Sequence, residues 1–195
     1  MKRNGLGFVF APSYHPAFKA IGPVRRGLAD RGIPSVFNLL GPLLNPIRPS
    51  YQLTGIYAAN RLRCYAEVLQ KLGRTRAWTV HGSGADELTL AGPTKGFDVQ
   101  QHIISEFSIL PHQLNLPTIP LQALRGGERD TNAAILVSVL DGSECGSQTL
   151  TVALNAAAGF LITGVVSSLP EGIDKASELI QSGAALAKLR AMQSF

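Results

Sequence analysis

The chain has 195 residues, 45% of them hydrophobic and 16% charged, with a formal net charge of +5 and a pI of about 9.5. That balance suits one globular α/β domain with a real core, or two small ones, and excludes a disordered or solvating protein. The basic residues Arg25, Arg26, Arg31, Arg48, Arg61, Arg63, Arg74 and Arg76 are scattered, which argues against a nucleic-acid-binding tail but suits an anionic substrate.

Lys2 and Arg3 precede a short apolar run that stops at Pro12, so a signal peptide is not indicated. Gly7 to Ala11 reads as a short strand ended by Pro12. His15 to Arg31 has apolar residues at helical spacing, Phe18, Ile21, Val24 and Leu28. Gly22 and Pro23 lie inside that pattern and predict a kink, and Gly32 a stop. Residues 33–46 combine Pro34, Pro42, Pro46, Gly41, Asn38 and Asn45 with large apolar side chains. This is too irregular for a long helix and too apolar for an ordinary surface loop, so it reads as an enclosed loop lining something. The plainer reading is a helix ending against a core, with its arginines solvated.

Leu53 to Tyr57 reads as a strand, Asn60 to Leu72 as a helix facing the core with Leu62, Tyr65, Val68 and Leu69, and Ala77 to His81 as a buried strand. That order is a parallel α/β signature. Glu87 to Leu90, Lys95 to Val99 and Ile103 to Phe107 read as short strands, and Pro111 to Gly127 as irregular. Helices are expected over Arg129 to Asp141, Thr149 to Gly164, Leu169 to Gln181 and Gly183 to Met192. Ala153 to Val166 is shorter than a membrane span and reads as a buried helix. The small residues of Asn155 to Gly159 permit close helix packing. Cys64 and Cys145 have no metal-type spacing and read as reduced thiols of a cytoplasmic protein, buried or incidental.

Asp86 and Glu87 follow directly on a predicted buried strand. Ligands in open α/β sheets bind beyond the carboxyl ends of strands, and two carboxylates there suit Mg²⁺, a hard cation that often binds substrate phosphates too. From spacing alone a solvated acidic turn is the better reading. His15 either contacts a ligand or caps the following helix. Arg25 follows it by ten residues, about three helical turns, and either pairs with a ligand carboxylate or with Asp30.

Several stretches together resemble anthranilate phosphoribosyltransferase. They are Ala11-Pro12-x-x-His15-Pro16, Val24-Arg25-Arg26, Val36 to Pro46, His81-Gly82 with Asp86-Glu87-Leu88-Thr89, Asn132-Ala133-Ala134 and Leu154 to Ala157. They run in family order along nearly the whole chain, and the F-N-L-L-G-P-L-x-N-P block is highly specific. The resemblance implies an α/β fold with a mostly parallel central sheet flanked by helices, like the carboxyl-terminal domain of nucleoside phosphorylases and phosphoribosyltransferases. It implies transfer of phosphoribose from phosphoribosyl pyrophosphate to the amine of anthranilate, a step of tryptophan biosynthesis, with pyrophosphate leaving and Mg²⁺ as cofactor. Pro12, His15, Gly22, Arg25 and Gly41 match positions lining the anthranilate path, Arg25 reading the carboxylate. Asp86 and Glu87 match the magnesium-holding pair; no residue is assigned as a general base.

The family's amino-terminal helical domain, its G-T-G-G-D and N-x-S-T segments and its lysine-bearing loop have no counterpart in these residues. A short insertion near Ala29 to Arg31 and a shortened turn before Asp86 are further departures. The expectation is therefore a single α/β domain over 1–195 that is part of a longer cytoplasmic, homodimeric enzyme, inactive alone, its amino-terminal half truncated or supplied separately. No membrane or nucleic-acid partner is expected. Two rivals stay open: a silent binding module of the same fold, perhaps for nucleic acid, and a relative of pyrimidine nucleoside phosphorylase. The scattered arginines speak against the first; the Phe37 to Leu43 block and Asp86-Glu87 speak against the second.

Overall fold

The structure, a computed structural model, describes residues 5–7, 9, 11–15, 20–33 and 35–194, and for Ala11, Pro12 and Asn38 the backbone alone. The chain divides into two compact units, Met1–Pro49 and Ser50–Phe195, where the sequence reading took one domain.

The first unit is helical. α1 (Ala11–Tyr14) holds Pro12 in its only turn, so the proline does not end a strand there; Phe8 and Phe10 of the expected strand lie outside the described residues. α2 (Gly22–Ala29) starts at Gly22 with Pro23 in its first turn. Ala20 is helical and Ile21 a turn, so helical pairing is interrupted just before Gly22-Pro23, where the expected kink was placed, and the proline's missing N–H falls where a helix start has no acceptor for it. His15 stands outside this helix, so it shares no helical face with Arg25; Pro16 to Lys19 lie outside the described residues. Gly32 closes α2 with φ +66°, and its N–H donates to Ala29 O at 2.9 Å. α3 (Phe37–Leu40) runs into a 3₁₀ turn at Gly41–Leu44, where Pro42 ends α-helical pairing. Among the described residues of 33–46 none is buried, and the same holds for the described residues of 1–49. Helices of four to eight residues are too short to wrap a core of their own.

The second unit is a four-stranded sheet in the order β1-β2-β3-β4 with helices on both faces. β1 (Tyr51–Gly55), α4 (Leu62–Lys71) and β2 (Arg76–Gly82) form the expected parallel crossover, in register from Tyr51 opposite Arg76 to Gly55 opposite Val80. β3 (Thr94–Gln100) and β4 (Ile103–Ile109) continue the sheet antiparallel. The α/β class holds, but the sheet is mixed, with one parallel and two antiparallel pairings rather than mostly parallel. The cause is local: Gln101-His102 links β3 to β4 by a two-residue turn, which only antiparallel strands accept.

β2 is buried on both faces, as a central strand should be. Thr79 turns toward α4 and donates to Leu62 O at 3.4 Å. Trp78 and Val80 turn the other way and pack with Leu154, Ala157, Ala158 and Ile162 of α6 (Ser147–Ile162) and Leu169 and Ile173 of α7 (Leu169–Gln181). The small residues on α6 do what their size suggests: a Cβ on Gly172 would lie 2.8 Å from Ala157 Cα. α5 (Arg129–Leu140) and α8 (Ala184–Gln193) complete the unit within a few residues of expectation. Asp98 accepts from Arg76 at 2.7 and 3.2 Å, and Arg76 Nη1 reaches Leu161 O at 3.0 Å, tying β2 and β3 to the end of α6. Burial pushes the Asp98 carboxyl up, but bonds from Arg76 and Gln100 and the Arg76 charge outweigh it, leaving the group below its ordinary range.

Glu87 to Leu90 is not a strand. Both cysteines are exposed rather than buried. Among the described residues no helix is long and apolar enough to cross a membrane.

Candidate active site

β2 delivers the acidic pair. Beyond Gly82 the chain reverses through Ser83 (φ +49°) and Gly84 (φ +101°), both left-handed as a two-residue hairpin turn needs. Gly82 and Ala85 exchange backbone hydrogen bonds of 2.9 and 3.0 Å across it. His81 braces the turn: its Nδ1 lies 2.8 Å from Ile56 O and its Nε2 3.4 Å from the Gly84 N–H. With Gly84 donating, Nε2 is the acceptor and Nδ1 the donor to Ile56 O.

The backbone then folds back over the ends of β1 and β2, and a glycine lies under each contact. A Cβ on Gly55 would fall 1.3 Å from Asp86 O, and one on Gly82 2.3 Å from Glu87 O. Neither site accepts a side chain without moving the acidic turn. Asn155 of α6 fixes the far side: its Oδ1 accepts from Leu88 N–H at 3.0 Å, and its Nδ2 donates to Leu88 O at 2.9 Å and Thr151 O at 3.0 Å. Those bonds take the Leu88 groups a ladder would use, which is why 87–90 is not a strand. Leu88 and Leu90 are fully buried, whereas Asp86 and Glu87 stay exposed. The pair is thus presented outward on a clamped backbone.

Glu87 also lines an apolar cleft of about 320 Å³ with Leu124, Ile135, Leu136, Val139 and Val152. Partial burial, and then the neighbouring Asp86 charge, push its carboxyl above the ordinary range. Two close carboxylates, one disfavoured as an anion, suit a cation. No group of three or more His, Cys, Asp or Glu forms a metal cage among the described residues. The donor set therefore fits Mg²⁺, which commonly takes one or two carboxylates plus substrate phosphates, better than a metal enclosed by protein ligands.

The other predicted residues lie in the first unit. Pro12 is in α1, with its side chain outside the described atoms, and His15 is half-buried just after it. Gly22, Arg25 and Arg26 line a cleft of about 330 Å³ with Ala29, Ile33 and Ser35. Arg25 is exposed and makes no ion pair among the described residues, so the local alternative, a bond to Asp30, is not formed. Gly41 opens the 3₁₀ turn. Nothing within 4 Å would meet a Cβ at Gly41, and at Gly22 only Arg26 Nη1 at 3.8 Å would. The inserted residues near Ala29 to Arg31 form the end of α2 and its turn.

Sequence reasoning did not assign roles to Gly55, His81 or Asn155. The signal for Gly55 was a glycine inside the expected strand Leu53 to Tyr57, a mark of close backbone approach. Asn155, polar within an apolar helix, was read for its size and as part of a stretch resembling the family, without a role.

The family described as glycosyl transferase family, a/b domain, matches residues 1–186. The chain belongs to that family. Among its relatives is the anthranilate phosphoribosyltransferase of Syntrophomonas wolfei, 42% identical over the whole chain and 56% of the relative's length. The solved anthranilate phosphoribosyltransferase of Thermus thermophilus is 40% identical with a TM-score of 0.81, covering 91% of this chain and 51% of that one. The Saccharomyces cerevisiae enzyme is 29% identical in two complexes. With 4-fluoroanthranilate the TM-score is 0.86, covering 96% of this chain and 54% of that one. With PRPP and Mg it is 0.75, covering 87% and 49%. The motif resemblance thus holds across the chain, which spans about half the length of the relatives it matches.

Proposed function

We propose that these residues are the α/β part of an anthranilate phosphoribosyltransferase acting in tryptophan biosynthesis in the cytoplasm. The observation that carries the reading is the outward Asp86-Glu87 pair, clamped over Gly55 and Gly82 in a chain 42% identical to an enzyme of that name. Asp86 and Glu87 would hold Mg²⁺, consistent with the Mg in the yeast complex. When bound, the ion supplies positive charge where negative charge gathers on departing pyrophosphate. The chain's part is to hold both carboxylates outward on a fixed backbone, so that little reorganisation is needed at the moment of reaction.

Arg25 offers an unpaired guanidinium for the anthranilate carboxylate, a contact that its planar fork can make with two hydrogen bonds. His15, Pro12, Gly22 and Gly41 line the approach, and the open space beside both glycines leaves room for an aromatic ring. The aryl amine carries its own lone pair, so no base is needed before attack. The backbone cradle for pyrophosphate comes from polypeptide outside these 195 residues, within a homodimeric complete enzyme.

The test is a coupled assay with anthranilate, phosphoribosyl pyrophosphate and Mg²⁺ on two proteins: the 195-residue chain, and a chimera joining to it the unmatched part of the Syntrophomonas relative. The expected result is no measurable turnover by the chain and clear turnover by the chimera. Robust turnover by the chain alone would overturn the division of labour. A folded but silent chimera would overturn the assignment.

A further inference from the structure

At the end of β2 away from Asp86, the second unit holds a largely enclosed arginine with no carboxylate paired to it among the described residues. Arg74 follows α4 and is only 5% exposed. Its Nε donates to Gln52 Oε1 at 2.9 Å, and no carboxylate among the described residues pairs with it. Its two Nη groups make no hydrogen bond within the described structure and, unlike the Trp78 indole nitrogen, are not sealed from solvent, so they face the cleft that Arg74 lines. Capping of α4 does not account for it. The last turn is closed by backbone, Leu72 N–H to Val68 O at 2.9 Å, Gly73 N–H to Gln70 O at 2.9 Å and Arg74 N–H to Leu69 O at 3.3 Å. The charge is felt inside the protein: burial pushes the Tyr65 hydroxyl up to about 12 while Arg74 pulls it down. A guanidinium whose stem is buried, whose Nη groups open on a cleft and which has no carboxylate beside it among the described residues offers charged donors to an anion entering that cleft.

Arg74 lines a cleft of about 440 Å³ shared with Lys71, Thr75, Gln101 and His102, and no acidic residue lines it. Gln101, at φ +47°, turns the β3–β4 hairpin across the cleft, its N–H 3.4 Å from Thr75 O. Lys71 and His102 are exposed at the rim. Donors therefore converge from the end of α4 and from the hairpin. That arrangement suits a tetrahedral anion with several oxygens better than a flat carboxylate.

We propose that this cleft binds a small phosphate-bearing anion, with the Arg74 guanidinium beneath it and Lys71 and His102 at its rim. The site is separate from the acidic pair, because the seven residues of β2 put roughly 20 Å between its two ends. It is independent of the transferase reading and uses none of that reading's residues.

The test uses the 195-residue chain in calorimetric and thermal-shift titrations with inorganic phosphate, ionic strength held constant with chloride. Glycerol 3-phosphate in a parallel arm distinguishes free phosphate from a monoester as the preferred form. The expected result is saturable one-site binding and a melting temperature that rises with phosphate beyond the chloride control. Binding should weaken by about tenfold or more in Lys71→Ala/His102→Ala, which alters only exposed side chains. It should vanish in Arg74→Met and persist in Asp86→Asn/Glu87→Gln. Should Arg74→Met fail to fold, the Lys71/His102 variant decides alone. Phosphate indistinguishable from chloride, undiminished binding in the Lys71/His102 variant, or loss of binding in the Asp86/Glu87 variant would each overturn the proposal.

Discussion

The two units handle apolar residues in opposite ways. The second encloses Leu88, Leu90, Val80 and Leu154 almost completely, whereas the first leaves Val24 and Val36 each 59% exposed and buries no described residue. The five residues proposed for anthranilate recognition lie on the unit without a core, and the two proposed for magnesium on the unit with one. The lesson is that a side chain can be built for recognition without resting on a core in its own unit, whereas a charged pair needing a fixed backbone draws on a packed scaffold. Substitutions in each unit sharpen or break that contrast.

The largest effect is expected from Leu154→Ala, which removes a side chain 2% exposed between the sheet and α7 and should cost about 2–5 kcal/mol in denaturant unfolding. The matching change Val24→Ala should cost within about 0.5 kcal/mol. Comparable losses for the two would show that the first unit is packed more tightly than its exposure implies.

Next is Asp98→Ala, which strips Arg76 of its paired acceptor and should cost about 2 kcal/mol at neutral pH. The folded Asp98 carboxyl lies below its ordinary value of 3.8. Its stabilisation is therefore present above the unfolded pKa and fades as pH falls through the folded one. The gap between variant and parent should close in acid melts; a gap constant with pH would mean the loss is packing alone.

Asn155→Ala comes third. It leaves the Leu88 N–H and C=O without their partners and should cost about 1–3 kcal/mol. Hydrogen exchange at Leu88 should rise together with exchange around Asp86 and Glu87. Faster exchange at Leu88 alone would mean the glycine contacts hold the turn unaided.

The pair itself should matter little to folding. Asp86→Asn/Glu87→Gln should unfold within about 0.5 kcal/mol of the parent, while raising the Mg²⁺ requirement of the chimera. Glu87 is held above its ordinary 4.5. The fold accordingly loses stability through this group as pH rises across the folded value, and Glu87→Gln should gain slightly on the parent at neutral pH but not in strong acid. An unchanged magnesium titration would return the pair to an ordinary acidic turn.

Arg25→Ala should leave the melting curve where it is. In the chimera it should raise the KM for anthranilate strongly and leave that for phosphoribosyl pyrophosphate nearly untouched. An unchanged anthranilate KM would make Arg25 a solvated helix charge.

Period and punctuation made much of the second unit legible. The β1–α4–β2 order follows from alternation and glycine stops, and α7 spans Leu169–Gln181 as its spacing predicts. The direction of β3 and β4 was not legible, because burial patterns do not carry strand polarity. Pro23 marked an interruption of the helical pattern, and the structure starts a helix at Gly22 just after a turn at Ile21, because proline disfavours a helix interior but suits a helix start. Asp86 and Glu87 were legible as residues that follow a strand. Their supports were not, since Gly55, His81 and Asn155 acquire meaning only when distant segments meet. Arg74 was one arginine among many until its burial set it apart.

The bond between Leu88 and Asn155 joins positions 67 residues apart. During synthesis, the acidic turn leaves the ribosome well before the helix that clamps it. Until α6 docks on the sheet, the Leu88 amide and carbonyl have only water to bond, and the carboxylates beside them have no fixed direction. Cation affinity at Asp86 and Glu87 should therefore arise late and abruptly as the chain lengthens, at the length that frees residue 155 from the exit tunnel, rather than growing with each strand added.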